Sequence, residues 1–487
     1  MGKDARKDIT RVISKMRTEY IIIPKEIGNK ELTSKDFVLS PSYLTKFEMK
    51  NKNVKALRAL VGKKDIGKEI GSSAYISKSD KFFIRTKAIN KYFWTLYKKG
   101  EEAIIPINPL FFRPYSLEKG DILIAKDSNI GECVYINNNN YKENYTISGG
   151  IARLKIPKDT LYVFSFMKSN FFREQLNSLV PRGATIRHSK DLYLDCLIPF
   201  PTGNKADKIK QSISDMAQEI VNNEDMIIEK YQKIINIIDN ELISNQKDIS
   251  FSYTYPDLFK IEETFRLNAS VYSKDYKQNI FTVKNYNQGF SSLNELGFQS
   301  KRGSSLEIKG LGTRLNSDTP REGFSAIVTP SDITEYGTVE HFSYIGTKKE
   351  LVKIEQGDIV FGGEATRRLF VQCDSSDNVV TNYHGIKIYN KKAKLSESIF
   401  IWAFLSYWKD KGVLDAISVG GQGGHLAPEY FNYLLFPNFP EKIKEEIANL
   451  YYTEKGEDIG IYQLDKRNKE LKTIIDENIH RIVYNEV

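Results

Sequence analysis

Two long stretches of the sequence carry apolar residues at helical spacing. Residues 206–245 contain neither proline nor glycine, and their apolar positions recur at steps of three, four or seven. These positions are Ile209, Ile213, Met216, Ile220, Ile227, Ile234 and Ile237. A heptad seam of this kind is typical of a coiled-coil helix, and forty residues would make a rod of about 60 Å. Asn223 lies within the seam, where a polar residue can fix the register of two helices.

The end of the chain repeats this pattern with one interruption. Its apolar positions are Ile443, Ile447, Leu450, Leu464, Leu471, Ile475 and Ile482. Gly456 and Gly460 predict a kink near 455–460. Each helix is too long to be covered by one domain, so we expect the two to pair antiparallel. The alternative is two unrelated amphipathic helices, each packed on its own domain.

A mixed pattern precedes each long helix. Short β-rich runs such as FFIRT and DIVFG are bounded by Gly, Asn and Pro. KALRAL (55–60) and SSLNEL (291–296) read as short helices. The sequence therefore predicts an α+β fold in which strands dominate the part before each helix.

The two halves of the chain resemble each other. The anchors appear in one order in both halves: FFIRTKAIN (82–90) with SAIVTPSDIT (325–334), LEKGDILIA (117–125) with IEQGDIVFG (354–362), and LIPFP (197–201) with LLFPNFP (434–440). The offset between Gly120 and Gly357 differs by only one position from the offset between Pro199 and Pro437. We infer a duplicated unit of roughly 235 residues, with offsets that drift where loops differ in length.

Composition favours a polyanionic partner and a cytoplasmic protein. The net charge is +9 and the pI is near 8.9. The three cysteines are far apart, which predicts neither a disulfide framework nor a CxxC metal site. No apolar run approaches the roughly 18–20 residues that span a bilayer, and the N-terminal stretch lacks an apolar signal region.

Catalytic motifs are not found. GKKDIGKE (62–69) has the spacing of a phosphate loop, but Glu69 stands where Ser or Thr must bind Mg²⁺. There is no Pro-Pro pair, which the target-amine loop of amino-methyltransferases requires, and INPLFF (107–112) is the nearest stretch. Asp358 and Glu364 lie six residues apart, but carboxylate pairs at such spacing are common by chance in this sequence and do not indicate a nuclease. No two histidines have the i, i+4 spacing of a helical metal pair.

Two equivalent loops carry polar residues that suit nucleic acid. They read VPRGATIRHSKD (180–191) and VGGQGGHLAPE (419–429), and His188 and His425 have the same offset as Gly120 and Gly357. Arginine can pair with guanine or phosphate, glutamine can pair with adenine, and glycine lets backbone N–H groups approach phosphate. The alternative is that these segments only connect neighbouring elements.

These stretches together resemble the specificity subunit of Type I restriction–modification systems. The first set consists of FIRTKAI (83–89), LEKGDILIA, RGATIRH (182–188), LIPFP and the helix after it. The second consists of RLNASVY (266–272), IVTPSDI (327–333), IEQGDIVFG and LLFPNFP. The resemblance runs from about residue 35 to the end, and residues 1–34 depart from the compact pattern of the family.

The resemblance implies two target-recognition domains in tandem, 1–205 and 247–440. A spacer helix at 206–246 and a C-terminal helix at 441–487 would pair as an antiparallel coiled coil. Such a chain is not catalytic and binds no cofactor; it reads a bipartite, asymmetric DNA target, one half-site per domain. It would dock two adenine methyltransferase subunits that carry S-adenosylmethionine, and restriction/translocase subunits that use ATP and Mg²⁺.

Candidate DNA-binding residues follow from the loops and from the family motifs. They are Arg85, Thr86, Lys87, Arg182, Gly183, Thr185, Arg187 and His188 in the first copy, and Thr329, Arg367, Arg368, Gly421, Gln422, Gly423 and His425 in the second. Two other functions stay open. One is a scaffold of a phage-defence complex that binds partners and not DNA, and the other is a nuclease or methyltransferase that acts alone.

Overall fold

A computed structural model describes most of the chain. The described residues are 21–22, 26–34, 44, 46–97, 102–180, 188–256, 261, 266–364, 367–375, 378–420, 424–453 and 458–486. The chain forms two compact units. The first comprises Met1–Asp225 together with Lys466–Val487, and the second comprises Met226–Asp465.

Short strands in small sheets make up the first unit. Its strands are β1 (Ile21–Ile22), β2 (Lys46–Phe47), β3 (Val54–Ala56), β4 (Lys63–Ile66), β5 (Phe82–Ile84), β6 (Ile104–Pro106), β7 (Ile122–Ala125), β8 (Cys133–Tyr135), β9 (Tyr145–Ile147), β10 (Ile151–Lys155) and β11 (Leu197–Pro199). A four-stranded antiparallel sheet has the order β4-β10-β7-β8, and a three-stranded sheet has the order β6-β5-β9 with β5 and β9 parallel. β3 pairs with β11, and β1 pairs with β2.

The second unit repeats the four-stranded sheet of the first and has a larger second sheet. Its strands are β12 (Phe290–Ser292), β13 (Gln299–Arg302), β14 (Leu315–Ser317), β15 (Ser325–Val328), β16 (Ser343–Gly346), β17 (Lys353–Ile354), β18 (Ile359–Gly362), β19 (Leu369–Val371), β20 (Val379–Thr381), β21 (Gly385–Tyr389) and β22 (Leu435–Pro437). The order β13-β21-β18-β19 matches the first four-stranded sheet. The order β14-β16-β15-β20-β17 contains the same parallel pair, here β15 with β20, and β12 pairs with β22.

The helices complete a mixed α+β fold, as predicted. They are α1 (Asn29–Ser34), α2 (Thr160–Lys168), α3 (Asn170–Leu179), α4 (Ala206–Ser244), α5 (Lys274–Lys284), α6 (Ile308–Leu311), α7 (Leu395–Asp410), α8 (Val413–Ile417), α9 (Glu441–Tyr451) and α10 (Ile461–Tyr484). None of the helices within the described ranges is long and apolar enough to cross a membrane.

The two short helices predicted at 55–60 and 291–296 are wrong. Residues 55–56 belong to β3, and Leu57–Ala59 form a single 3₁₀ turn. Residues 291–292 belong to β12. Pairing of β3 with β11 and of β12 with β22 outweighs the local helix preference of these residues.

The Gly-Asp anchor has a structural cause in both units. Gly120 and Gly357 adopt φ of +99° and +84°, a region that side-chain-bearing residues rarely enter. The following carboxylates, Asp121 and Asp358, accept a backbone N–H three residues upstream, at 2.9 and 2.6 Å. Both aspartates are buried beside a basic residue of the adjacent strand, Arg153 for the first and Lys387 for the second. Burial raises the pKa of both carboxyl groups, and the neighbouring cation opposes that rise.

The core of the first unit contains residues of both α4 and α10. Ile213, Ile220, Leu471, Ile475 and Ile482 share one buried apolar cluster with the sheet and with α2 and α3. The polar position of the seam is buried there too. The side-chain amide of Asn223 donates to Asn468 at 2.9 Å, and the two residues are only 6% and 2% exposed.

Further along α4 the buried face departs from the predicted seam. Ile227 and Ile234 are buried as predicted, and Tyr231, between these two, is buried as well. The next buried position is Ile238 and not the expected Ile237. The spacing is therefore four, three and four. The predicted seam counted aliphatic residues and passed over the aromatic one.

A buried lysine ties the loop after β5 to the sheet of the first unit. The ammonium of Lys168 donates to the carbonyls of Asn90, Phe93 and Cys133, at 2.9, 2.7 and 3.1 Å. Because burial penalises the charged form, the pKa of Lys168 falls from 10.5 to about 8. Glu224 holds the same loop from the other side, accepting the backbone N–H groups of Trp94 and Thr95 at 2.8 Å each.

Candidate nucleic-acid interface

Each unit carries a carboxylate–histidine contact at the same place. His188 forms an isolated β-bridge with Asp127, and His425 forms one with Glu364. In the first unit His188 Nδ1 lies 2.7 Å from Asp127 Oδ1, and in the second His425 Nδ1 lies 3.7 Å from Glu364 Oε1. The two carboxylates have the same offset along the chain as the two histidines.

Backbone hydrogen bonds anchor the residue after each histidine. Ser189 N–H donates to Lys126 O and Leu426 N–H donates to Gly363 O, both at 2.8 Å. The acceptors directly follow the ends of β7 and β18. In each unit the last part of the polar loop is therefore held against the same edge of the four-stranded sheet.

The most polar parts of the two loops lie outside the described residues. This concerns 181–187 and 421–423, and with them the candidates Arg182, Gly183, Thr185, Arg187, Gly421, Gln422 and Gly423. Their roles stay predictions. His188 and His425, which directly or nearly follow these segments, locate where each loop rejoins its unit.

In the first unit the structure brings Thr86 close to the histidine contact. A Cβ placed on Gly150 would lie 3.0 Å from Thr86 Cγ2 and 3.4 Å from Asp127 Cβ, so both side chains crowd this glycine. A second glycine, Gly67, packs still closer. A Cβ there would lie 2.0 Å from the carbonyl oxygen of Ser148, so only glycine fits.

Three basic residues, Lys87, Lys91 and Arg173, are among those that line a cleft beside this point. A cavity of about 650 Å³ is lined by Lys87, Ile89, Asn90, Lys91, Ser128, Asn129, Ile130, Glu132, Arg173 and Asn177. Lys87 also pairs with Glu102, and both side chains are well exposed. Arg85 precedes the 3₁₀ turn Thr86–Ala88 and its backbone N–H donates to Ala103 O at 3.0 Å. Exposed cations of this kind can contact phosphates.

In the second unit Thr329 has a local partner. Its hydroxyl donates to Asp332 Oδ2 at 2.6 Å, and its backbone N–H donates to the same oxygen at 3.2 Å. Thr329 thus stabilises the turn after β15, much as Thr86 opens the turn after β5.

Arg367 and Arg368 do not lie on the surface of the second unit. They are 1% and 6% exposed. Arg367 Nη1 donates to Gly363 O at 2.6 Å, and burial lowers the pKa of its guanidinium. Arg368 Nε donates to Glu335 Oε1 at 2.9 Å. These contacts hold elements of the unit together, and neither buried guanidinium is exposed for contact with DNA. A pair of arginines in a polar turn gave no sequence signal of burial.

The structure adds a group of residues that sequence reasoning missed. Arg302, Tyr383 and His384 gather around Glu364 and His425. The guanidinium carbon of Arg302 lies 4.7 Å from the centre of the Tyr383 ring, and Arg302 Nη2 lies 2.7 Å from His425 Nε2. His384 Nδ1 lies 2.9 Å from Glu364 Oε1. We call these five residues the Arg302 cluster.

The charge state of Glu364 follows from its neighbours. The hydrogen bond from His384 lowers the pKa of this carboxyl, desolvation opposes the shift, and the charges of His384, His425 and Arg302 lower the pKa further. Glu364 is therefore ionised at neutral pH. Among the described residues, no group of three or more His, Cys, Asp or Glu side chains could hold a metal ion.

The two units differ where the Arg302 cluster lies. Register with β7 and β18 aligns Ile151 with Gly385, so Gly149 and Gly150 in the first unit correspond to Tyr383 and His384 in the second. The shared sheet thus carries different side chains at its edge. The sequence distance between these equivalent positions is slightly shorter than that between the two histidines. Only the strand register shows which positions are equivalent, so the sequence alone could not reveal this difference.

Comparisons with known proteins give likenesses to solved structures. No protein-family model matches the chain, and no curated protein matches it. The chain is similar to the S subunit of a Type-I restriction-modification system from M. genitalium, with 13% identity, a TM-score of 0.40 and coverage of 90% of this chain and 99% of that one. It is also similar to the HsdS subunit from Thermoanaerobacter tengcongensis, with 10% identity, a TM-score of 0.27 and coverage of 89% and 97%.

The chain is also similar to a third solved chain, from work on the complex assembly and conformational transition of the type I R-M system. It has 9% identity, a TM-score of 0.28 and coverage of 89% of this chain and 98% of that one. The two named subunits belong to the family that the sequence resembles. At these identities and TM-scores the likenesses carry no weight for function.

Proposed function

We propose that this chain is the non-catalytic specificity subunit of a Type I restriction–modification complex and that it binds double-stranded DNA. One observation carries the proposal. The same carboxylate–histidine contact follows the same strand of the same sheet in both units, next to polar loops of different sequence. A repeated frame that carries different exposed side chains suits a protein that reads two different short DNA sequences.

The proposed target is bipartite and asymmetric. Each unit would read one half-site, and the residues at the edges of the two sheets differ, with Gly149 and Gly150 in one and Tyr383 and His384 in the other. In the first unit Arg85, Thr86, Lys87 and His188 are the proposed contacts together with the loop at 181–187. In the second they are Thr329 and the loop at 421–423, and His425 lies where that loop rejoins the unit. The domain limits 1–205 and 247–440 remain part of this proposal.

The long helices would set the distance between the half-sites. Two contacts inside the first unit support antiparallel pairing of α4 with α10: Asn223 with Asn468 at 2.9 Å, and Thr202, before the start of α4, with Asn485, after the end of α10, at 3.4 Å. Half-sites on one face of DNA are separated by about one helical turn or a multiple of it. A coiled coil of fixed register would therefore give a fixed unread spacer.

The proposal assigns chemistry to partner subunits in the cytoplasm. Two adenine methyltransferase subunits would bind S-adenosylmethionine and flip the target adenine out of the duplex. Restriction/translocase subunits would use ATP and Mg²⁺. The chain itself would supply sequence reading and the surface on which these subunits assemble.

Two experiments test the proposal. Binding of the purified full chain to duplex DNA should weaken steeply as salt rises, since phosphate contacts release counterions. Long-read sequencing of the host genome should reveal an adenine methylation motif with two short halves that disappears when the gene is deleted. Binding without salt dependence, together with an unchanged set of methylated motifs, would favour the scaffold function. DNA modification by the chain alone would favour an enzyme.

Variants in the two polar loops test whether each unit reads a separate half-site. Changing Arg187 should relax the motif in one half only, and changing Gln422 should relax it in the other half only. A uniform loss of affinity across sequences would instead identify a phosphate contact.

A further inference from the structure

The second unit holds an arginine in a geometry that suits base reading. Arg302 is the last residue of β13, and Tyr383 lies in the turn before β21. Its guanidinium lies over the Tyr383 ring, which is 52% exposed. Stacking of this kind fixes the plane of a guanidinium and leaves its edge available for hydrogen bonds.

Its histidine neighbour fixes the in-plane direction. Arginine can only donate hydrogen bonds, so His425 Nε2 must accept from Arg302 Nη2 across their 2.7 Å contact. Arg302 Nη1 also lies 3.4 Å from the carbonyl oxygen of Tyr383. Two of the five N–H donors of the guanidinium are thus occupied, and the side chain is held on two sides.

We propose that Arg302 is a specificity-determining residue that reads a guanine in the half-site of the second unit, with Tyr383 and His425 as positioning residues. This inference rests on the proposed function. Arginine reads guanine through two parallel hydrogen bonds to O6 and N7, and that contact needs a pre-oriented guanidinium. The first unit has Ile66 at the equivalent position of β4, so its half-site is read without this group.

The local charge favours a base over a phosphate. Ionised Glu364 lies within the Arg302 cluster and is about half exposed. Arg302 and Glu364 together carry no net charge, and a phosphate approaching Arg302 would also approach this carboxylate. A guanine edge is uncharged and presents only acceptors. The cluster therefore suits a base edge in the major groove.

Selection from a randomised duplex pool by the full chain tests the inference. The wild-type chain should enrich a bipartite motif with a guanine at one position of one half. For Arg302→Ala the preference for guanine there should fall by about 5- to 150-fold, because one bidentate contact gives that much discrimination. Arg302→Lys should lose it too, since lysine keeps the charge but lacks the planar fork. The other half of the motif should not change.

Two further variants separate reading from positioning. Tyr383→Leu removes the ring beneath the guanidinium and should weaken discrimination at the same base, with affinity for unrelated DNA unchanged. Lys301→Ala is the matched control, an exposed cation one residue earlier on β13. It should leave the enriched motif intact.

Three outcomes would overturn the inference. In one, Arg302→Ala leaves the motif unchanged. In another, it weakens binding to all sequences equally and lowers the salt slope by about one, as a phosphate contact would. In the third, the wild-type chain binds DNA with no sequence preference or not at all. Only the third outcome also rejects the proposed function, so the two failures are distinguishable.

Discussion

Replacing one of two buried asparagines tests whether the polar pair inside the first unit specifies how α4 meets α10. Asn223 and Asn468 are 6% and 2% exposed and share a hydrogen bond of 2.9 Å. Leucine at either position alone would leave the other amide buried without this partner. That costs about 1–3 kcal/mol, whereas replacing both partners with apolar side chains can be nearly neutral. The double variant should therefore be more stable than either single variant.

Hydrogen exchange of the full chain is the appropriate measurement. Because the chain has two units, a single unfolding free energy is not well defined, but exchange reports local opening of each segment. In peptides from 212–225 and 467–483, each single variant should lose about 5- to 150-fold in protection, since 1.4 kcal/mol corresponds to a factor of ten. The double variant should recover most of that protection.

The neighbouring residue offers a matched control. Asn222 is exposed, and water can replace the hydrogen bonds that its side chain accepts from Asn137 and Gln218, so Asn222→Leu should change protection by well under threefold. The reasoning is refuted if the effects of Asn223→Leu and Asn468→Leu simply add in the double variant, because the two side chains would then not depend on each other.

Three further predictions concern buried groups and close packing. The pKa of Lys168 is about 8 in the folded chain, below its usual 10.5. Between these pH values the unfolded chain binds more protons, so the stability of the first unit should rise by up to about 3 kcal/mol from pH 8 to 10.5. Lys168→Met should abolish that rise in pH-dependent unfolding, and an unchanged profile would contradict the assignment. Gly67→Ala should destabilise only the first unit, and Gly303→Ala should destabilise only the second, each by about 1–3 kcal/mol. In the second case the added Cβ would lie 2.3 Å from a backbone carbonyl oxygen. Loss of hydrogen-exchange protection in both units would argue against this local cause. Asp358→Asn should cost about 3–5 kcal/mol, because the buried ammonium of Lys387 then keeps only the exposed carboxylate of Glu355, at 3.8 Å, as a charged partner. Asp358→Asn combined with Lys387→Met should regain stability in thermal unfolding, whereas an equal loss in both variants would refute the pairing.

Features that depend on one residue type and its neighbours could be predicted from the sequence. Gly120 and Gly357 mark turns that require a left-handed residue, and this requirement keeps the Gly-Asp anchor recognisable in both halves. Asn223 was predicted within an apolar seam, and it is buried there. His188 and His425 could be matched by spacing, because the second unit is three residues shorter before β21 than the first is before β10, and three residues longer between that strand and the histidine.

Features that depend on the pairing of distant segments could not be predicted. Arg302, Tyr383 and His425 come from three separate stretches of chain, and only the strand register brings them together. Arg367 and Arg368 look like solvated cations in the sequence because burial is a property of the surrounding fold. Tyr231 shows the same limit on a smaller scale, since an aromatic residue continues the buried face of α4 where only aliphatic positions were counted.

The first unit is built from both ends of the chain, and this has a consequence during synthesis. A ribosome must add the whole second unit, Met226–Asp465, before it reaches the segment that completes the core of the first. At about 5–20 residues per second this delay is roughly 10 to 50 s. During that time Ile213 and Ile220 lack Leu471, Ile475 and Ile482, with which they share the finished core. A nascent chain truncated at residue 465 lacks only the segment Lys466–Val487. Because that segment completes the core of the first unit, the truncated chain should bind chaperones through this unit.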